Sequence, residues 1–143
     1  MIHHAGLIAL RLAGDWRGVL IEGESGSGKS DLALRALDAG WSLVADDRTL
    51  LWACDGRLQG RAPDALAGLI EARGLGVLPT AGRAYAEVAL IVRCVAAEAV
   101  ERYAEDETRV LLGVSLPVVR LAALEASAPA KLSRALTHLG VRR

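Results

Sequence analysis

Gly18-Val-Leu-Ile-Glu-Gly-Glu-Ser-Gly-Ser-Gly-Lys-Ser30 is the stretch that decides the fold of this chain. Gly23, Gly28, Lys29 and Ser30 fill every fixed position of G-x-x-x-x-G-K-S/T, a loop that cradles phosphates. With glycine at about 7% of average proteins, the four positions coincide by accident in roughly one such chain in a few hundred. The flanks make accident rarer still. Val19-Leu20-Ile21 reads as a buried strand, and Asp31–Ala39 carries Leu32, Ala33, Ala36 and Leu37 at helical spacing before a stop at Gly40. A strand, a glycine-rich turn and a helix, in that order, aim backbone N–H groups and the positive helix end at one anion. Gly23, Glu24, Ser25, Gly26, Ser27, Gly28, Lys29 and Ser30 are the expected cradle for ATP. Lys29 supplies a point charge to the outer phosphates, and the Ser30 hydroxyl is suited to Mg²⁺.

Working outward, His4–Leu12 and Gly18–Glu22 read as strands joined by turn chemistry at Ala13-Gly14-Asp15. Ser42–Ala45 is a buried-strand candidate that runs into Asp46-Asp47, and Leu50–Ala53 another that turns at Asp55-Gly56. Ala65–Ala72 has the composition of a short helix ending before Gly74, and Gly74–Pro79 of a loop or short strand. Ala86–Val95 is the longest β-like stretch, followed by a helical turn over Glu98–Tyr103. Val110–Leu112 and Val114–Arg120 read as a last strand pair, and Ala130–Leu139 as a helix stopped by Gly140. Hairpins together with a strand–loop–helix unit predict an α/β fold with a mixed central sheet, in one P-loop domain over residues 1–143.

Composition narrows the function. Lysine plus arginine number 17 and aspartate plus glutamate 17, a neutral balance that does not suit a dedicated nucleic-acid surface. Apolar runs such as Val88–Val92 fall far short of the roughly 20 residues of a spanning helix. The first residues lack the basic and apolar regions of a signal peptide, so a cytoplasmic protein away from membranes is expected. Cys54 and Cys94 fit no metal spacing and read as small hydrophobes in a reducing compartment.

Phosphoryl transfer also needs carboxylates to hold the metal and to orient the attacking hydroxyl. Asp46-Asp47 ends a strand, where a carboxylate faces a phosphate loop; neighbouring residues point oppositely, so one of the two is expected to face the phosphates. Glu71 and Arg73 precede a glycine-containing turn, where they fit either a metal and phosphate site or an exposed helix end. His3 and His4 begin a strand, and Arg102, Arg109 and Arg120 have no distinguishing spacing. From these residues alone the reading is a P-loop phosphotransferase or NTPase of unstated substrate.

Four segments narrow it. Gly18–Ser30, Leu-Val-Ala-Asp-Asp (Leu43–Asp47), Gly-Arg-Ala-Pro (Gly60–Pro63) and Ile-Glu-Ala-Arg-Gly-Leu-Gly-Val (Ile70–Val77) follow one another as in the HPr kinase/phosphorylase family, whose catalytic domain the chain resembles. The resemblance covers the first half well and thins beyond about Val95. It implies an ATP- and Mg²⁺-dependent kinase acting on a serine of HPr or an HPr-like phosphocarrier of the phosphotransferase system, either a sugar-system HPr or a nitrogen-system relative. It further implies a fold core shared with phosphoenolpyruvate carboxykinase and a homo-oligomer, hexameric in known members. Carried over residue by residue, it makes Asp47 the proton acceptor, His4 (with His3 the near rival) the catalytic histidine, and Arg102 a further active-site residue beside Lys29. Ser30 and Glu71 become Mg²⁺ ligands, with Asp46 beside them.

Two departures stand out. The interval from His4 to Gly23 is a few residues longer than in the family, which suggests an extended hairpin around Ala13–Asp15. The C-terminal segment associated with dephosphorylation is rich in Pro, Gly and Arg, and Ser115–Leu121 keeps little of that, so kinase activity is implied more than phosphorylase activity. The chain resembles the short forms of some proteobacteria, without the N-terminal domain of long members. Two other readings compete: a small-molecule kinase, and an ATP-binding regulatory module that transfers no phosphate. The first would need a substrate pocket within this chain; the second would have no use for a base at Asp47.

Overall fold

The structure, a computed structural model, describes residues 1–140, so the last three positions of the expected domain lie outside it. Strands β1 (Ile2–His3), β2 (Gly6–Leu12) and β3 (Asp15–Glu22) lead into helix α1 (Lys29–Asp38). There follow β4 (Ser42–Ala45), β5 (Thr49–Cys54), β6 (Arg57–Arg61), β7 (Leu69–Ala72), β8 (Gly76–Pro79), β9 (Ala86–Cys94), β10 (Glu107–Leu111), β11 (Val114–Leu121) and helix α2 (Ala128–Leu139). Nine strands form one mixed sheet in the order β1-β5-β6-β9-β3-β2-β4, with β11 also on β9 and β10 on β11; β7 and β8 pair separately.

β9 is the trunk of this sheet. Along one edge it runs parallel to β3, from Gly18 opposite Val88 to Glu22 opposite Arg93. Its other edge is shared: Ala86–Val88 pair antiparallel with β6, and Ile91–Cys94 pair parallel with β11. Strands β2, β3 and β9 are buried on both faces, which explains their continuous rather than alternating apolar runs. Ile8, Val19, Ile21, Leu90 and Val92 pack with Leu32, Ala36, Leu132 and Leu136 of the helices. Leu7, Leu20, Val88 and Ile91 instead meet Leu51, Leu58, Leu116 and Val118, because the sheet curls back upon itself. A fully buried aliphatic side chain contributes about 1.5–3 kcal/mol, so this two-sided burial dominates what holds the strands together.

Local chemistry sets the turns. Ala13 and Gly14, Asp55 and Gly56, and Leu112 and Gly113 are two-residue hairpin loops with positive φ at both positions, from 49° to 86°. That geometry matches the right-handed twist of the flanking strands. α2 opens with Pro129 in its first turn, where a missing N–H costs nothing.

Several expectations change. The helical turn expected over Glu98–Tyr103 is only a 3₁₀ turn at Ala97–Ala99. The strand expected over His4–Leu12 starts at Gly6 as β2, beside β3, while Ile2–His3 form a separate β1 that pairs with β5. β6 follows the Asp55-Gly56 turn, where its polar residues had given no strand signal; only Leu58 and Gly60 point inward. Residues 65–72 do not form a helix: a 3₁₀ turn spans Asp64–Leu66, and Leu69–Ala72 is β7, antiparallel to β8. Ile70 and Ala72 are buried while Glu71 is exposed, the period of two that a strand imposes.

Candidate functional site

The phosphate loop runs from the end of β3 to the start of α1. Gly28 caps the helix with φ 93°, and a Cβ there would lie 2.9 Å from a methyl of Leu124, so both conformation and space require glycine. The Lys29 ammonium folds over the loop and donates to the carbonyls of Gly23 at 2.7 Å and Glu24 at 3.4 Å. Arg35, paired with Asp31 one turn earlier, reaches from α1 to the carbonyls of Ala123 and Glu125 and so fixes the facing turn.

Asp46 joins the loop to two other segments. Its Oδ1 accepts the Ser30 hydroxyl at 2.9 Å, and its Oδ2 accepts the backbone N–H of Glu71 at 2.9 Å. The loop, the end of β4 and β7 thus meet on one half-buried carboxylate. Of the sequence-predicted residues, Ser30, Asp46 and Glu71 are brought together, Glu71 by its amide while its side chain is exposed.

Asp47 is exposed and occupies the left-handed region at φ 63°, between Asp46 O and Arg48 N, which are hydrogen-bonded at 2.7 Å. A non-glycine residue held there costs about 1–3 kcal/mol, and such positions cluster at functional sites. The bend at 4–6 lies against this corner: a Cβ on Gly6 would be 3.8 Å from Asp47 N. The His4 side chain is exposed, whereas His3 turns inward. Arg102 is not joined to the loop; its guanidinium lies 5.4 Å from the Tyr103 ring in the segment before β10.

The largest feature that the sequence did not disclose is a charge cluster on Glu22, the last residue of β3. Its side chain is 5% exposed; Oε2 accepts from His3 Nε2 at 2.9 Å, and Oε1 lies 2.5 Å from Arg109 and 3.9 Å from Arg93. Burial opposes the charged form, but the hydrogen bonds and charges of His3 and Arg109 outweigh it and hold the carboxyl below its ordinary value. One signal was available: a carboxylate ending a run of buried strand residues needs cationic partners. Their positions, 3, 93 and 109, were not readable from spacing.

Beside the loop lies a cavity of about 700 Å³, lined by Glu24, Ser27, Arg93, Cys94, Ala97 and Leu124 among others. Its size suits a small ligand. Burial pushes the Cys94 thiol up to about 11 against the opposing charges of Lys29 and Arg93. The Ser27 hydroxyl is buried without a hydrogen-bond partner among the described residues, a donor left over within an anion-binding loop. Ser30 and Asp46 supply the hard oxygen donors that Mg²⁺ prefers. Both features fit a magnesium–nucleotide complex. Among the described residues no group of three or more His, Cys, Asp or Glu could hold a metal unaided.

The family model described as HPr Serine kinase C-terminal domain matches residues 4–132. HPr kinase/phosphorylase from Bordetella pertussis is 40% identical over 116 residues, covering 73% of this chain and 38% of that protein. The Clostridium beijerinckii enzyme of the same name is 48% identical over 61 residues, 43% of this chain and 20% of its own. The chain thus spans well under half the length of these curated relatives. A solved structure, the Hpr(Ser) kinase/phosphatase from Coxiella burnetii, superposes with a TM-score of 0.79 at 25% identity, covering 96% of this chain and 95% of that one. By fold, by phosphate loop and by these matches, the chain belongs to the HPr serine kinase C-terminal domain family.

Proposed function

We propose that residues 1–143 act as one phosphoryl-transfer domain, a protein-serine kinase that moves the γ-phosphoryl group of ATP to a serine of HPr or an HPr-like phosphocarrier. The observation that carries the reading is the Ser30–Asp46 contact at 2.9 Å, a metal-suited pair at the mouth of a complete phosphate loop, in a chain of this family. Magnesium, when bound, neutralises and orients the phosphates; Ser30 and Asp46 would hold it, with Glu71 beside them. Lys29 and the amides of Gly23–Ser30 take the phosphate charge, and the cavity beside Ser27 receives the rest of the nucleotide. Asp47 takes the proton of the incoming serine hydroxyl. It is exposed and has no hydrogen bond or ion pair of its own among the described residues, as a base for a protein substrate should be. His4 stands at the neighbouring bend, and Arg102 would have to be brought in from the segment before β10.

No described helix is long and apolar enough to cross a membrane; a cytoplasmic location and a cytoplasmic phosphocarrier as partner belong to this reading. Assembly as a homo-oligomer belongs to the same reading.

The test is incubation with γ-labelled ATP, Mg²⁺ and purified HPr-type carriers. Label should appear on a carrier serine and vanish with Lys29→Ala. Asp47→Asn should lower turnover about 100-fold or more while ATP affinity changes little, since a base acts in the transition state. A wild-type rate in Asp47→Asn would remove the base assignment. No label on any carrier, with ATP still bound, would favour a regulatory module instead.

A further inference from the structure

We propose that Glu22 is a positioning residue: through His3 it ties the phosphate loop to the Asp46-Asp47 corner and fixes where that corner stands. The inference rests on the kinase reading for its functional consequence, and on geometry for its mechanism.

Glu22 ends β3 one residue before Gly23, whose carbonyl receives Lys29. His3 belongs to β1, which lies four places away from β3 in the sheet order β1-β5-β6-β9-β3. The curl of the sheet brings these strands back together, and the 2.9 Å His3–Glu22 contact closes the gap. β1 is only two residues long, so its short ladder with β5 needs further bonds to hold it. Together they join it to the segment after Asp47. Ile2 and His3 pair with Leu50 and Thr49, Leu51 N donates to Met1 O at 2.8 Å, and the fully buried Thr49 donates its hydroxyl to Ala5 O at 2.8 Å. Thr49 follows Asp47 by two residues, so displacement of His3 is displacement of the corner.

The second carboxylate oxygen faces Arg109 from β10 and Arg93 from β9, so Glu22 is held at both oxygens and cannot rotate away. An apolar residue would fill the strand end as Val19, Leu20 and Ile21 do, without the cost of burying charge. What a carboxylate adds is direction. Phosphoryl transfer depends on such direction, because a misplacement of about 1 Å can lower the rate about 100-fold.

The experiment compares wild type, Glu22→Gln, His3→Ala and the double variant by amide hydrogen exchange and by steady-state kinetics. Each single change should speed exchange at residues 48–51 about tenfold or more, the scale of one charge-assisted hydrogen bond, with β9 still protected. The double variant should add little, because one contact is broken only once. In the kinetics kcat should fall while KM for ATP stays within about threefold, since the loop that binds phosphate is intact. Wild-type exchange at 48–51 in Glu22→Gln, or single effects that multiply in the double variant, would overturn the proposal. Should Glu22→Gln fail to fold, His3→Ala decides alone, through protection at 48–51. The exchange result does not depend on turnover, so a wild-type chain that transfers no phosphate would sink the kinase reading and leave this test intact.

Discussion

Two carboxylates end two strands beside the same loop, and they are held in opposite ways. Asp46, at the end of β4, is half-buried and receives only neutral donors, a serine hydroxyl and a backbone N–H. Glu22, at the end of β3, is buried and receives His3, Arg109 and Arg93. A carboxylate oriented by neutral donors keeps its charge available to a cation that arrives later. One saturated by guanidinium groups has already spent its field and serves as a joint. Around one phosphate loop, the fold separates an acid that can act on a ligand from an acid that acts on the protein.

The comparison breaks most visibly by exchanging roles. Glu22→Leu should destabilise the chain by about 2 kcal/mol: breaking a buried pair costs about 3–5, and the arginines, roughly a third exposed, recover part of that from water. Melting temperature should drop by about 4–8 °C. Asp46→Asn should cost about 1 kcal/mol, less than the Glu22 change, because Asp46 is only half-buried and its loss strands no charged partner, while abolishing the magnesium dependence of nucleotide binding. Equal losses of stability in the two variants would erase the distinction.

Acid titration sharpens it. The Glu22 carboxyl lies below its ordinary 4.5 in the folded state, so around that pH the unfolded chain binds more protons than the folded one. Its contribution is therefore complete above about pH 4.5–5 and is lost as pH falls through the folded value. Denaturation curves of Glu22→Gln should show a shallower acid limb than wild type; identical limbs would mean the cluster does not favour the anion.

The smallest effect concerns Cys94, behind the loop. With its thiol raised to about 11 from 9.0, chiefly by burial and slightly by the Glu22 charge, its thiolate fraction at pH 8 is about a hundredfold below that of an unperturbed thiol. Iodoacetamide should label the exposed Cys54 well before Cys94, and Glu22→Gln should narrow that gap only slightly. Rapid labelling of Cys94 in the folded chain would contradict the burial.

What could be read from the sequence was whatever is local along it. Gly23–Ser30 with its strand and helix is a continuous segment, and so are the Ala13–Gly14 and Asp55–Gly56 turns and the strand that ends at Asp46. Ser30 and Asp46, 16 positions apart, each carried a signal of its own in the sequence, but their 2.9 Å contact did not. β7 was misread because Leu, Glu and Ala are good helix formers and four residues are too few to show a period of two. β6 was missed because its exposed face is polar and its interior face includes Gly60, where a Cβ would press to 2.7 Å on a methyl of Leu7. The Glu22 cluster gathers residues 3, 22, 93 and 109: Arg93 faces Glu22 through the β3–β9 pairing, while His3 reaches it only because the sheet curls. Arg109 became significant through β10 crossing to the end of β3, a fact of tertiary structure that no spacing in the sequence encodes.

The shared edge of β9 also bears on the order in which the chain acquires its shape. The hairpins β2–β3, β5–β6 and β10–β11 can each close locally, but β9 must select partners made before it, β3 and β6, and one made after it, β11. Non-local and parallel pairings of this kind are the slow steps of folding. A nascent chain that has emerged only as far as Cys94 has the Ile91–Cys94 edge unpaired, so the strand that carries the middle of the molecule is completed after the last hairpin leaves the ribosome.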